Sequence, residues 1–463
     1  PRSADPPIRR LPVHSPSIGA LLMRTSRRLS AALAVAGLTA LTACGSGTGS
    51  SSGGSSDGSL EVWSRSSPVS GAVYKKIFAE FTEETGVKVE YTPILDNFEQ
   101  RVAEAASARD LPDIVINDSG MLGTNVSQGL VQEVDRDRLK GSADVLDRAW
   151  EQAKAYDGKY YGVPFNVQSF ATFIRKDWRE KLGLKQPKTW DDLTALATAF
   201  QTEDPDGNGK DDTYGMLVPA STDRGYASWW ASSYLWQGGG DFLTEAGDGK
   251  YVPAIDSPQS VAAVRWMQDL FCEEKVVVPG ALTLQTKDAH EFFSSGKAGV
   301  YMTGPYMVGK YDVDLGKKFE VIPSPAGPGG QATLAEGENV YLMAGSKLQE
   351  QQRRLAEFLI SPKGQKIGLN STMPEPPVRL SVNKKVDTVA ERGGDARWKM
   401  FVDEFTAHGR YTPNVPNWQP FRQKSGETLN GLFARCDADP KAELTKLAEE
   451  FKQELETQKV YGG

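Results

Sequence analysis

The hydrophobic pattern is most regular between residues 60 and 117, where short apolar runs alternate with stretches of helical period. Residues 60–63 read as a strand. Val73, Ile77, Phe78 and Phe81 then recur at three- and four-residue spacing up to Gly86, a candidate C-cap because glycine takes the left-handed conformation at little cost. Val87, Val89 and Tyr91 alternate as a second strand, residues 98–108 return to helical spacing, and Asp113-Ile114-Val115-Ile116 reads as a buried third strand. This βαβαβ order predicts the opening of a doubly wound parallel sheet, in which ligands bind beyond the carboxyl ends of the strands. Ser64, Arg65 and Ser66, Asn97, and Asn117, Asp118 and Ser119 fall at those ends. Each of these Ser and Asn residues equally suits a plain helix cap.

Further along, residues 162–166 and 170–174 are strand-like, and residues 188–289 change character. Helical patterns at 190–200 and 261–271 there surround an aromatic, glycine-rich centre, which predicts a second lobe. Residues 299–303 and 319–322 read as strands, 353–359 as a helix, and 442–455 as a terminal helix. No internal repeat and no heptad pattern is present.

Upstream of residue 60 the chain is built differently. Arg24, Arg27 and Arg28 precede an apolar stretch, residues 29–43, too short to span a bilayer, and small residues lead to Leu41-Thr42-Ala43-Cys44. This segment resembles the lipobox of bacterial lipoproteins, which implies a signal peptide over 23–43 and a lipid on Cys44. Residues 1–22, rich in Pro and Arg and upstream of Met23, are expected to be an extension outside the protein proper. Residues 44–59, nearly all Gly and Ser, form a flexible tether without the apolar surface to fold.

Composition narrows the function. With 39% hydrophobic and 24% charged residues the remaining chain can bury a sizeable core, and a net charge of -7 without a basic stripe argues against a nucleic-acid partner. No later apolar run is long enough to cross a membrane, so the lipid is the expected anchor on the extracellular or periplasmic side. Outside the cytosol, Cys272 and Cys436 are free to pair as a disulfide, or to serve as small apolar fillers on helices.

Tyr156-Asp157-Gly158-Lys159-Tyr160-Tyr161-Gly162-Val163-Pro164 resembles the segment by which maltose-binding-protein-like solute-binding proteins first pass between lobes. Met302-Thr303-Gly304-Pro305-Tyr306 resembles their return crossing. Leu235-Trp236-Gln237-Gly238-Gly239, Phe358-Leu359-Ile360-Ser361-Pro362 and Thr412-Pro413-Asn414-Val415-Pro416-Asn417-Trp418 are similar to further landmarks in the same order. The resemblance covers nearly all of residues 60–463. It implies an α/β, two-lobed periplasmic-binding-protein-like fold, each lobe a mainly parallel sheet flanked by helices and joined by a hinge. Lobe I would comprise 60–168 and 304–361, and lobe II 169–303 and 362–463. It also implies a monomeric lipoprotein of an ABC importer that closes on a mono- or oligosaccharide and presents it to permease subunits, without a cofactor.

A sugar has apolar faces and a belt of hydroxyls, so its site needs flat aromatics beside bidentate polar partners. Trp229, Trp230 and Trp236, crowded in one stretch, and Trp418, in a Pro- and Asn-rich loop, are candidate platforms, with core packing the alternative for each. The resemblance implies Asp118, Asn166, Glu338 and Arg379 as hydroxyl partners, with Gln168 and Tyr306 beside the crossing segments. Asp204, Asp206, Asn208, Lys210 and Asp212 place oxygen donors as a calcium loop does, but Gly215 stands where a bidentate Glu belongs, so a solvated turn fits as well. Enzyme chemistry finds little footing: His14, His290 and His408 are isolated, residues 304–311 miss the phosphate-loop pattern at Tyr311, and only Glu336 with Glu338 suggests a hydrolytic carboxylate pair. A carbohydrate sensor or adhesin with the same cleft is the alternative to transport.

Overall fold

The computed structural model describes residues 58–369 and 374–463; the signal segment, Cys44 and nearly all of the tether lie outside them. The folded body begins slightly earlier than the tether was expected to end. Ser59 is buried and donates to Glu90 Oε1 at 2.7 Å.

In chain order the strands are β1 (Leu60–Arg65), β2 (Val89–Ile94), β3 (Ile114–Asp118), β4 (Val163–Ser169), β5 (Ala171–Arg175), β6 (Tyr214–Leu217), the hairpin β7 (Leu243–Gly247) and β8 (Lys250–Pro253), β9 (Ala298–Thr303), β10 (Phe319–Ile322), β11 (Thr333–Leu342), β12 (Leu380–Ser381) and β13 (Gly409–Arg410). One sheet runs β12-β4-β11-β3-β1-β2, with β13 on β11; a second runs β10-β5-β9-β6. They are the cores of two lobes.

The opening βαβαβ unit forms as the periodicity predicts. The helix Pro68–Thr85 buries Val73, Ile77, Phe78 and Phe81 and ends at Gly86, whose φ of 73° and N–H bond to Thr82 O make a left-handed cap. β1 lies between β2 and β3 in parallel pairing. In the rest of the first sheet only the short β13 is parallel to its partner, β11. β11 runs antiparallel to both β3 and β4, and β12 antiparallel to β4; in the second sheet only β6 and β9 are parallel. Both sheets are therefore mixed, because chain segments that enter a lobe from its neighbour join the sheet without a helical crossover to reverse them.

The chain first changes lobe at Phe170, where β4 hands over directly to β5. The return lies later than residue 304. β10 pairs with β5 in the second sheet, so residues 304–322 belong to lobe II and the chain re-enters lobe I only between β10 and β11. The helices Gln349–Ile360 and Pro362–Leu369 pack on the first lobe, and β12 joins its sheet, so lobe I also extends well past residue 361. Residues 411–418 lead from β13 into the helix Gln419–Ala434, which packs on the lobe II helix Tyr226–Gln237. Sequence alone misplaces these boundaries because a strand pattern does not say which sheet it joins. The first two crossings are tied together: Phe170 N–H donates to Thr333 Oγ1, which donates to Phe170 O, both at 3.0 Å.

Cys272, ending the helix Pro258–Cys272, is disulfide-bonded to Cys436, just beyond the helix Gln419–Ala434, with Cα atoms 5.4 Å apart. Among the described residues no helix is long and apolar enough to cross a membrane.

Candidate ligand-binding site

β1 alternates strictly, with Leu60, Val62 and Ser64 facing the core and Glu61, Trp63 and Arg65 the other side, so its last residue emerges where the lobes meet. β3 ends there with Asp118, and the N-cap and first turn of the helix Phe98–Ala108, just after β2, bring Asn97 and Glu99. β4 adds Gln168, β11 adds Glu336 and Glu338 on one face, and the turn before β12 adds Arg379. Lobe II supplies Arg224, Tyr226 and Trp229 from the start of the helix Tyr226–Gln237, with His290, Tyr306 and Arg422. Between them lies a cavity of about 630 Å³, within the range of roughly 300–1,000 Å³ usual for small-molecule sites.

Two guanidiniums, one from each lobe, share two lobe I carboxylates. Arg224 Nη2 lies 2.7 Å from Glu99 Oε1 and 3.3 Å from Asp118 Oδ2; Arg65 Nη1 is 3.5 Å from Asp118 and its Nε 3.8 Å from Glu99. Burial opposes ionisation of Asp118, but the guanidiniums, Arg65 and Arg224 foremost, hold its carboxyl down at about 2. Arg224 has φ 50°, a left-handed conformation that costs a non-glycine residue free energy. Gly225 follows at φ 66°, and a side chain there would meet Arg422 O at 2.7 Å. Glycine therefore lets the helix bearing Trp229 approach the helix bearing Arg422.

A second cluster forms the floor. Glu338, only 4% exposed, accepts from Asn166 Nδ2 at 2.7 Å and Tyr74 Oη at 3.3 Å, and pairs with Arg379 Nη1 at 3.2 Å. All three contacts fall on Oε2, which thus helps to hold Arg379, whose guanidinium carbon sits 5.6 Å from the Tyr306 ring centre. Glu336 accepts from Trp229 Nε1 at 3.0 Å and Gln168 Nε2 at 2.7 Å, while burial, followed by the charge of Asp118, raises its pKa. Gln168 Oε1 is buried without a partner. Burial and the nearby Lys310 lower His290 to about 3, so its ring is neutral near pH 7. The wall therefore combines aromatic rings, Tyr306 and Trp229, with fixed planar donors and acceptors, the set that a polyhydroxylated ligand needs.

Of the candidates read from sequence, Arg65, Ser66, Asn97, Asp118, Gln168, Trp229, Tyr306, Glu338 and Arg379 line this cavity. The others do not. Ser64 is fully buried and bonds to Ser66 and Tyr91 hydroxyls at 2.7 and 2.6 Å. Asn166 is also fully buried and spends its amide on Glu338 and Pro377 O. Trp230 and Trp236 are core: Trp230 packs on Tyr234 and Phe433, and Trp236 on Phe242 with its indole N–H on Asp241. Trp418 stacks on Phe421 and, with Ser119, faces a separate smaller cavity. Crowded aromatics on one helix point in all directions, which composition cannot resolve.

The 204–212 loop does not fit a calcium ion. Asp204 accepts the N–H groups of Gly207, Asn208 and Gly209, Asp206 accepts from Asn208, and Lys297 Nζ lies 2.8 Å from Asp212. The oxygens that would ligate a cation are turned onto backbone donors and an ammonium, and no acidic cluster suited to a metal occurs among the described residues.

Arg224, Glu99, Tyr226, His290 and Arg422 are cleft residues that the sequence pattern does not single out, and Glu336 stands out in it only as half of a hydrolytic carboxylate pair. Arg224-Gly225 immediately before the Trp-rich helix was the one local signal, a turn ahead of an already suspect element.

Residues 65–366 match the bacterial extracellular solute-binding protein family. The polygalacturonan/rhamnogalacturonan-binding protein YtcQ of Bacillus subtilis is 31% identical over 248 residues, 50% of this chain and about half, 48%, of that protein's length. The galactooligosaccharide-binding protein of Bacillus subtilis is 25% identical across 94% of this chain and 98% of its own. In fold, an ABC transporter solute-binding protein from Thermotoga lettingae bound with alpha-D-tagatose superposes with a TM-score of 0.74 at 20% identity, covering 86% of this chain and 99% of that one. A cleft between two mixed-sheet lobes, crossed three times by the chain and matched over most of its length by the family, leads to one conclusion: this chain belongs to the bacterial extracellular solute-binding proteins, a family of binding proteins rather than enzymes.

Proposed function

We propose that this protein captures a sugar or oligosaccharide between its lobes and delivers it to the permease of an ABC importer. The observation that carries this reading is the pairing, across one cavity, of the Tyr306 and Trp229 rings with the fixed guanidiniums of Arg65, Arg224 and Arg379. Stacking holds the apolar face of a sugar, and the planar charged groups hold its hydroxyls bidentately. Ligand that touches both lobes favours the closed arrangement by its differential affinity for it, and a closed lobe pair is what a permease can distinguish from an open one. The names of the relatives, several of them oligosaccharide-binding, support the same ligand class.

Cys44, diacylated after removal of residues 23–43, anchors the protein outside the membrane, with residues 45–58 as a tether. Cys44→Ala shifts the protein from the membrane to the soluble exported fraction. The ligand reading is tested by melting-temperature shifts against a panel of mono- and oligosaccharides, because binding to the folded state alone stabilises by RT ln(1 + [L]/Kd). One sugar class raises the melting temperature in a saturable way; no shift across neutral and acidic sugars overturns the reading.

A further inference from the structure

A second cavity, of about 290 Å³, lies on the far side of Trp229, Glu336 and Arg422. These three residues also line the larger cavity, so they form a partition of side chains rather than an outer wall. We propose that the binding site has two chambers and takes a linear oligosaccharide that passes Arg422, with its terminal ring in the second chamber. The proposal rests on the sugar reading of the first.

Three observations support it. Arg422 presents a buried Nε without a partner, and among the described residues no hydrogen bond or ion pair engages its guanidinium; Glu336 and Asp118 act on it only through space. A guanidinium left undonated at a doorway suits a ligand oxygen that crosses it, since a buried donor without an acceptor is costly. The second chamber has aromatic walls, Phe242, Tyr411 and Trp418, with Tyr156 at 47% exposure. Polar side chains stand between the rings, among them Lys154, Asn414 and Gln152, the last 5% exposed with its Oε1 unpartnered. Rings interleaved with hydrogen-bonding groups match a sugar ring, which offers a flat face and a belt of hydroxyls.

Gly120 allows a clean test. It lines only the second chamber, its backbone is not in the left-handed region, and a Cβ there would come no closer than 3.9 Å, to Gln419 Nε2. Gly120→Leu therefore fills the second chamber and leaves the first as it is. The full chain is titrated calorimetrically with ladders of galacto-, fructo- and malto-oligosaccharides of one to six rings. In the ladder that binds, affinity rises at least tenfold at the length that first enters the second chamber. Gly120→Leu removes that step while the shortest binder keeps its affinity within twofold, and Tyr156→Ala, at an exposed site that does not threaten folding, reduces the same step. Affinity independent of length, or a step untouched by either folded variant, overturns the two-chamber proposal alone. If no ladder binds the wild type, the sugar reading of the cleft falls, and the proposal with it.

Discussion

Replacing Arg224 by Gln tests whether the ion pairs across the cleft govern closure. The wild-type guanidinium reaches from lobe II to two lobe I carboxylates, at 2.7 Å to Glu99 and 3.3 Å to Asp118, and all three side chains are roughly a quarter exposed. Hydrogen bonds to charged groups contribute about 1.5–3 kcal/mol when well shielded, and exposed pairs about 0–1. Partial exposure places this pair between the two, so its loss costs about 1–2 kcal/mol. Only the closed arrangement contains the contact, so the loss falls on that state and shifts the closed-to-open ratio by about 5- to 30-fold. Apparent ligand affinity falls by up to the same factor, because it scales with the population of the binding-competent state. Small-angle scattering of the ligand-free protein, which no direct ligand contact can influence, shows a larger radius of gyration for the variant, and calorimetry gives the affinity. A double-mutant cycle with Glu99→Gln then gives a coupling energy of about 1 kcal/mol or more. Salt weakens wild-type closure more than that of the variant. Unchanged scattering together with additive single mutants would refute the argument.

Other consequences follow from buried groups. Reducing the Cys272–Cys436 bond, which spans 164 residues, or replacing both cysteines by Ser, lowers unfolding stability by about 5 kcal/mol in the chain-entropy model, measured by denaturant titration with and without reductant. Glu404 is buried, with one carboxylate oxygen unpartnered, and burial raises its pKa to about 7. Since the folded value exceeds the unfolded one, wild-type stability falls as pH rises from about 4.5 through 7, by up to about 3 kcal/mol. Glu404→Gln flattens that slope in melts across pH; an unchanged slope rejects the assignment. Trp229→Ala weakens sugar binding by about 1–3 kcal/mol with a modest change in melting temperature, whereas Trp230→Ala, in the core, costs about 3–5 kcal/mol of stability; fluorescence titration and thermal melts distinguish the two, and equal behaviour of both variants contradicts their placement.

Local pattern by itself determined the elements. The helix ending at Gly86, the helix Phe98–Ala108 and the strand Ile114–Asp118 follow from apolar period and a glycine cap, which act over a few residues and need no distant partner. The carboxyl-end rule likewise located Arg65, Asn97 and Asp118, because parallel β1, β2 and β3 must open their ends to the same side. Tertiary structure decided the rest. Whether β10 serves lobe I or lobe II depends on its pairing with β5, about 145 residues earlier by the registers, and a four-residue strand carries no mark of its neighbour. Trp229 and Trp230 are adjacent and chemically identical, yet a helix turns successive side chains by about 100°, so one lines the cleft and the other is buried against Phe433. Arg224, Glu336 and Arg422 come from three distant segments, and their common site exists only because three chain crossings bring the lobes face to face.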